Sequence, residues 1–205
     1  MNNQEPAEVK QKKHINLPEV SYNAPVVLTF AIISLIALIL DQITHGKVNH
    51  LLFSVYSAKG DNFFYFFRLF GHCLGHASWA HFSANMMLFL LLGPLLEEKY
   101  GSKKLLLMIL LTSLISGLAN VIFFKNVVLL GASGIVFMMI VLTSASCIKD
   151  DKKIPLTMIL ILIIYLGAEV WDGIFAQDNI SQLTHIIGGI CGAIFGMANM
   201  KKKKE

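Results

Sequence analysis

Hydrophobic residues in this chain fall in long blocks rather than at alternating positions. A bilayer-spanning helix needs such a block, about 20 residues for a hydrocarbon core of about 30 Å. Six spans are predicted, over about 24–43, 80–98, 105–124, 133–148, 154–172 and 184–200. Nothing shows the period-two alternation of a membrane β-barrel, and a helix satisfies its own backbone in lipid. The expected fold class is all-α, a polytopic membrane protein built as a six-transmembrane-helix bundle. A polar tail, 1–23, precedes the bundle and a basic tail, 201–205, follows it. The long segment 44–79 separates the first two spans, and its run "NFFYFFRLF" is too short to cross and broken by Arg68, so it reads as interfacial.

Composition narrows this further. With 55% hydrophobic and 15% charged residues in 205, there is room for one membrane bundle and no sizeable soluble domain. The first apolar block is long enough to stay as a span, so no cleavable leader is expected. Cys73, Cys147 and Cys191 are odd in number and scattered, which suggests packing rather than disulfides or a metal cage. Charge sets the orientation. If both termini lie on one side, that side carries Lys10, Lys12, Lys13, Lys99, Lys103, Lys104, Lys149, Lys152, Lys153 and Lys201 to Lys204. The other side carries only Lys47, Lys59, Arg68 and Lys125. The positive-inside rule then predicts cytoplasmic termini and an outward-facing 44–79 segment. The lysines are explained by topology, with the lipid bilayer as their partner; no nucleic-acid partner is implied.

Polar residues inside the spans are the candidates for function, because they are costly there. Ser133 opens the fourth span within "LLGASGIVFMMIV", between Gly131 and Gly134. His185 opens the sixth, and His81 and Asn85 open the second. Ser133 to Lys149, His185 to Lys201 and His81 to Glu97 are each 16 residues apart. That is about 24 Å along a helix, which sets all three at one depth on three co-directional spans. A serine hydroxyl becomes nucleophilic when a histidine takes its proton. A helix N-terminus supplies free N–H groups and the positive end of the dipole, which would stabilise an oxyanion. His81 and Asn85, four apart, share a helix face and could donate to the same oxygen. Gly131 and Gly134 would allow a tight turn and close approach of a substrate chain.

Other readings compete. The glycines around Ser133 suit plain helix packing, and Gly188, Gly192 and Gly196 form a ridge that would seat the sixth span on the fourth. His81 and Asn85 could hold the adjacent loop instead. Glu97 and Arg68 read as structural ties, and Phe63 to Phe70 as an interfacial anchor. His72, His76 and His81 could ligate zinc or copper if helical, but H-E-x-x-H is absent and no deeper ligands are evident, so the reading assigns no metal.

Taken together, these residues resemble the rhomboid family of intramembrane serine proteases. "GASG" (131–134) is similar to its G-x-S-G, "HFSAN" (81–85) to its H-x-x-x-N, and "THIIGGICG" (184–192) to its histidine followed by small residues. "GPLLEEKYG" (93–101) is similar to G-x-x-x-E-x-x-x-G, and "FRLFGHCLGHASWAH" (67–81) to the end of the long first loop. The resemblance covers roughly 24–200 and implies a Ser–His dyad without an acid. By position, Ser133 would be the nucleophile and His185 the base. His81, Asn85 and the Ser133 N–H would form the oxyanion hole, supported by Gly131, Gly134, Phe137, Gly188 and Gly192. It implies no metal or organic cofactor, single transmembrane helices as protein substrates, and, with six spans, the form found in bacterial cell membranes. Two positions depart from the family's habit: Phe67 replaces a common Trp before Arg68, and Phe137 replaces the Tyr that stacks on the catalytic histidine. The rival reading is a non-cleaving relative that binds transmembrane helices.

Overall fold

A computed structural model of the chain describes residues 21–56, 63–124, 127–146 and 179–201, with isolated helical residues at 156, 159–160 and 163–164. Most of the predicted fifth span, 154–172, lies outside the described residues, as do both tails apart from the residues next to the bundle. Among the described residues there are six helices: α1 (Pro25–Ile43), α2 (Phe63–Gly71), α3 (Trp79–Tyr100), α4 (Ser102–Phe123), α5 (Ser133–Ser146) and α6 (Asn179–Lys201). Single turns at Asn49–Phe53 and His72–Leu74 complete the segment between α1 and α3. Helices α1, α3 and α4, of 19, 22 and 22 residues, are each long and apolar enough to cross a bilayer.

Helix ends depart from the apolar blocks where polar residues extend a helix toward water. Helix α4 starts at Ser102 and takes in Lys103 and Lys104, and α6 starts at Asn179, placing His185 in its second turn rather than its first. Hydropathy marks the hydrocarbon portion of a helix; backbone bonding carries the helix on into the headgroup zone.

The polar ties set the bundle's register. Both carboxylate oxygens of buried Glu97, near the end of α3, accept from the first backbone donors of α1, Val26 N and Val27 N, each at 3.0 Å. This satisfies N–H groups that a helix start leaves unpaired and sets a negative charge against the positive end of the dipole. Above it Val27 fills the space beside Gly93, and Phe30 stacks on Phe89 at 4.5 Å between ring centroids. At the same end of the bundle Lys99 donates to the Ser146 carbonyl at 2.7 Å, joining α3 to α5.

The segment between α1 and α3 goes deeper than an interfacial reading predicts. Helix α2 exposes Phe63, Phe64 and Phe66 but buries Arg68 and Leu69. Its Leu69 backbone lies against Gly117, and the turn that follows places His72 on the Ser113 carbonyl. Ser113 is ten residues, about 15 Å, below the far end of α4. Inside the segment, Arg68 donates to Tyr56 Oη at 3.0 Å and covers its ring, and buried Asp41 accepts from the Asn49 N–H and side-chain amide, each at 2.8 Å. A buried charge is tolerated only with such partners.

Candidate active site

Ser133 is the first residue of α5 and is half-buried. Its approach is held from three directions. Val55 and Leu129 pair through two backbone bonds of 2.9 and 2.8 Å. The Asn120 amide reaches the carbonyls of Val55 and Val127, and the Gly131 N–H donates to the His72 carbonyl at 2.9 Å. Gly131 has φ of +123°, a conformation other residues rarely adopt. A Cβ there would also fall 2.7–2.8 Å from the His81 imidazole. Glycine is therefore required twice at this position, by the turn and by the ring lying on it.

His81 is half-buried in the first turn of α3, whose start is capped by the Ser78 hydroxyl accepting from the His81 N–H at 3.1 Å. The Ala77 N–H points at His81 Nδ1 in a long contact of 3.5 Å. A ring that accepts there carries its proton on Nε2, the nitrogen facing Gly131. Buried His76 packs edge-on against the His81 ring at 5.1 Å and limits its rotation. Asn85 is buried one turn further along, and its amide donates to the His81 carbonyl at 3.0 Å.

His185 reaches the same place from α6. Its ring stacks on Phe137 at 4.2 Å between centroids and 9° between planes, and both residues are buried. Phe137 lies four residues, one helical turn, after Ser133. Small residues make this approach possible. A Cβ at Gly188 would overlap the Gly134 carbonyl, and one at Gly192 would overlap the Met138 carbonyl. A Cβ at Gly196 would lie 2.6 Å from Ala145 Cβ. The contacts run 134 to 188, 138 to 192 and 145 to 196, so α5 and α6 are co-directional and touch backbone to backbone. His81 at one end of α3 and Lys99 at the other place that helix parallel to both.

Matched against the sequence expectations, Ser133, His81 and His185 all gather around the first turn of α5. Asn85 lies on the same helix face as His81, with its amide engaged on its own helix. His72 is drawn away from His76 and His81 by its bond to Ser113 at 3.0 Å, and among the described residues no three His, Cys, Asp or Glu side chains are grouped to hold a metal ion.

A protein-family model described as the Rhomboid domain matches residues 64–202, more than half of the chain. The chain belongs to the rhomboid family. No curated protein matches it at a significant level. The matched stretch of this rhomboid begins inside the segment before α3, so α1 lies outside it while α3 to α6 lie within. Membership makes the bundle an integral membrane protein.

Three features of this rhomboid's site escape a sequence reading. Thr184 is buried with its methyl group and carbonyl over Gly134, and its only signal is its position before His185. Ser116 of α4 lies on the other flank of Gly134. His72 acts through its backbone carbonyl, for which no side-chain pattern exists.

Proposed function

We propose that this rhomboid is a serine endopeptidase that cuts transmembrane helices of protein substrates in or near the bilayer. The observation that carries the reading is the flat stack of His185 on Phe137, one turn from Ser133 at a helix start. A stacked imidazole keeps its ring plane fixed while its edge nitrogens remain available for proton transfer. In the proposed reaction His185 takes the proton from Ser133 Oγ as the oxygen attacks a peptide carbonyl. The carbonyl oxygen becomes an oxyanion held by His81 Nε2–H and the first N–H groups of α5, with Asn85 able to join if its amide leaves the His81 carbonyl. His185 then returns the proton to the leaving amine, which frees the C-terminal fragment. Water, deprotonated by the same histidine, releases the acyl group from Ser133. Neither a metal nor an organic cofactor enters this chemistry, so chelators should leave turnover unchanged. The lysine distribution supports cytoplasmic termini.

The test uses the full chain in proteoliposomes with a single-span substrate, beside Ser133→Ala, together with labelling by a fluorophosphonate, which reacts with activated serines. Cleavage and labelling by the parent alone establish the reaction class and nucleophile. Labelling without cleavage points to a narrow substrate requirement. Neither, in folded protein, favours a relative that binds helices without cutting them. Equal cleavage by both proteins removes Ser133 from the mechanism.

A further inference from the structure

Away from the serine, toward the start of α4, a cavity of about 480 Å³ opens between α1, α2 and α4. Its walls include Val26, Phe30 and Ile33 of α1, Phe67 and Phe70 of α2, and Leu106 of α4. The volume falls within the roughly 300–1,000 Å³ typical of ligand sites. Its shape follows from the dipping segment described above. Helix α2 and the turn after it roof the cavity part-way up the bundle, and the starts of α1 and α4, at Pro25 and Ser102, form its lower rim. From Pro25 to Ile33, and again from Ser102 to Leu110, the lining covers eight residues. That is about 12 Å of height, against about 15 Å for the hydrocarbon of one leaflet. Lys103, three residues before Leu106 and seven before Leu110, shares their side of α4 next to the Ser102 rim and is exposed.

We infer that this cavity is a binding site for one anionic phospholipid, with an acyl chain in the groove and its phosphate at Lys103. An apolar groove between two bilayer-crossing helices faces hydrocarbon, and a chain that fills it recovers dispersion contacts that its walls otherwise lack. The height matches one leaflet, which selects a lipid of the leaflet on the lysine side rather than a spanning helix. The Lys103 ammonium at the rim selects an anionic headgroup over a zwitterionic one. The site shares no residue with the serine site, yet it touches it indirectly. Gly71, Cys73 and Leu74 line the groove, and His72 between them holds Gly131. A bound chain therefore supports the turn that presents Ser133.

The test reads binding without using activity. The full chain is reconstituted in phosphatidylcholine vesicles doped with phosphatidylglycerol or phosphatidylcholine carrying a diazirine on one acyl chain. After photolysis the adducts are mapped by peptide mass spectrometry. Phosphatidylglycerol adducts are expected to concentrate on Thr29 to Ile33 and Leu106 to Leu110, roughly fivefold above phosphatidylcholine adducts, as one near-surface lysine allows. The variant Lys103→Gln should bring the two probes level without moving the adducts. Ile33→Trp should clear adducts from the groove and leave those on lipid-facing Met87 and Leu91 of α3. Adducts spread evenly over all lipid-facing helices would overturn the site. So would a groove that labels equally with both probes, one that labels with neither, or one unaffected by Ile33→Trp in folded protein.

Discussion

The two halves of this bundle are built by opposite means. On one side α5 and α6 meet backbone to backbone through Gly134, Gly188 and Gly192, and the groups around Ser133 sit in that seam. On the other, α1, α2 and α4 leave a cavity of about 480 Å³, and buried carboxylates tie elements around it: Glu97 of α3 holds the start of α1, and Asp41 of α1 holds Asn49. In lipid no hydrophobic force draws helices together, so association comes from close packing or from polar bonds. Packing fixes position to fractions of an ångström because atoms cannot overlap. A carboxylate clamp fixes only the point it touches and leaves room beside it. The half that, in the proposed reaction, aligns an imidazole with a hydroxyl uses the first means. The half that anchors a loop and faces the bilayer uses the second.

Substitutions should separate the halves, beginning with the largest effect. Within the seam side, His81→Ala should lower turnover by about 10²–10³-fold, the usual loss of one oxyanion donor, while leaving the thermal midpoint nearly unchanged. Asn85→Ala should cost less, because its amide is bonded to the His81 carbonyl. Single-turnover cleavage by the two variants decides the order, and a larger loss at Asn85 would mean that its amide swings to the oxyanion during reaction.

Gly188→Ala comes next. Its Cβ would overlap the Gly134 carbonyl, which is backbone and cannot rotate away. Overpacking of this kind costs about 1–3 kcal/mol, and because the seam positions His185, turnover should fall together with the midpoint of thermal unfolding in detergent. A variant with both values intact would show that the seam does not align the histidine.

Glu97→Gln is the smallest. It keeps one acceptor for the Val26 and Val27 N–H groups but loses the charge and the second oxygen. Stability should drop by roughly 1–2 kcal/mol, with turnover per folded molecule preserved. Turnover lost in proportion at Glu97 would mean that the clamp reaches the site and would erase the distinction between the halves.

The sequence determined a good deal by itself. Apolar blocks demand helices in lipid, so the all-α bundle was legible. So was the gathering of His81, Ser133 and His185, because each lies 16 residues from a charge at the far end of its span. Local chemistry also showed through: a glycine before Ser133 where φ is +123°, and a glycine ridge where two backbones meet. Only the tertiary structure decided the rest. It took the end of the 63–74 segment about 15 Å below the end of α4, where hydropathy predicts an interfacial helix, because Tyr56 pairs buried Arg68 within the segment and the Ser113 carbonyl pairs His72 inside the bundle. It set the His72 carbonyl behind Gly131 and Thr184 over Gly134, contacts made by backbone and shape that carry no residue code. Hydropathy and spacing are one-dimensional quantities and fix depth; which groups meet at a given depth depends on how the helices are rotated and how closely they pack.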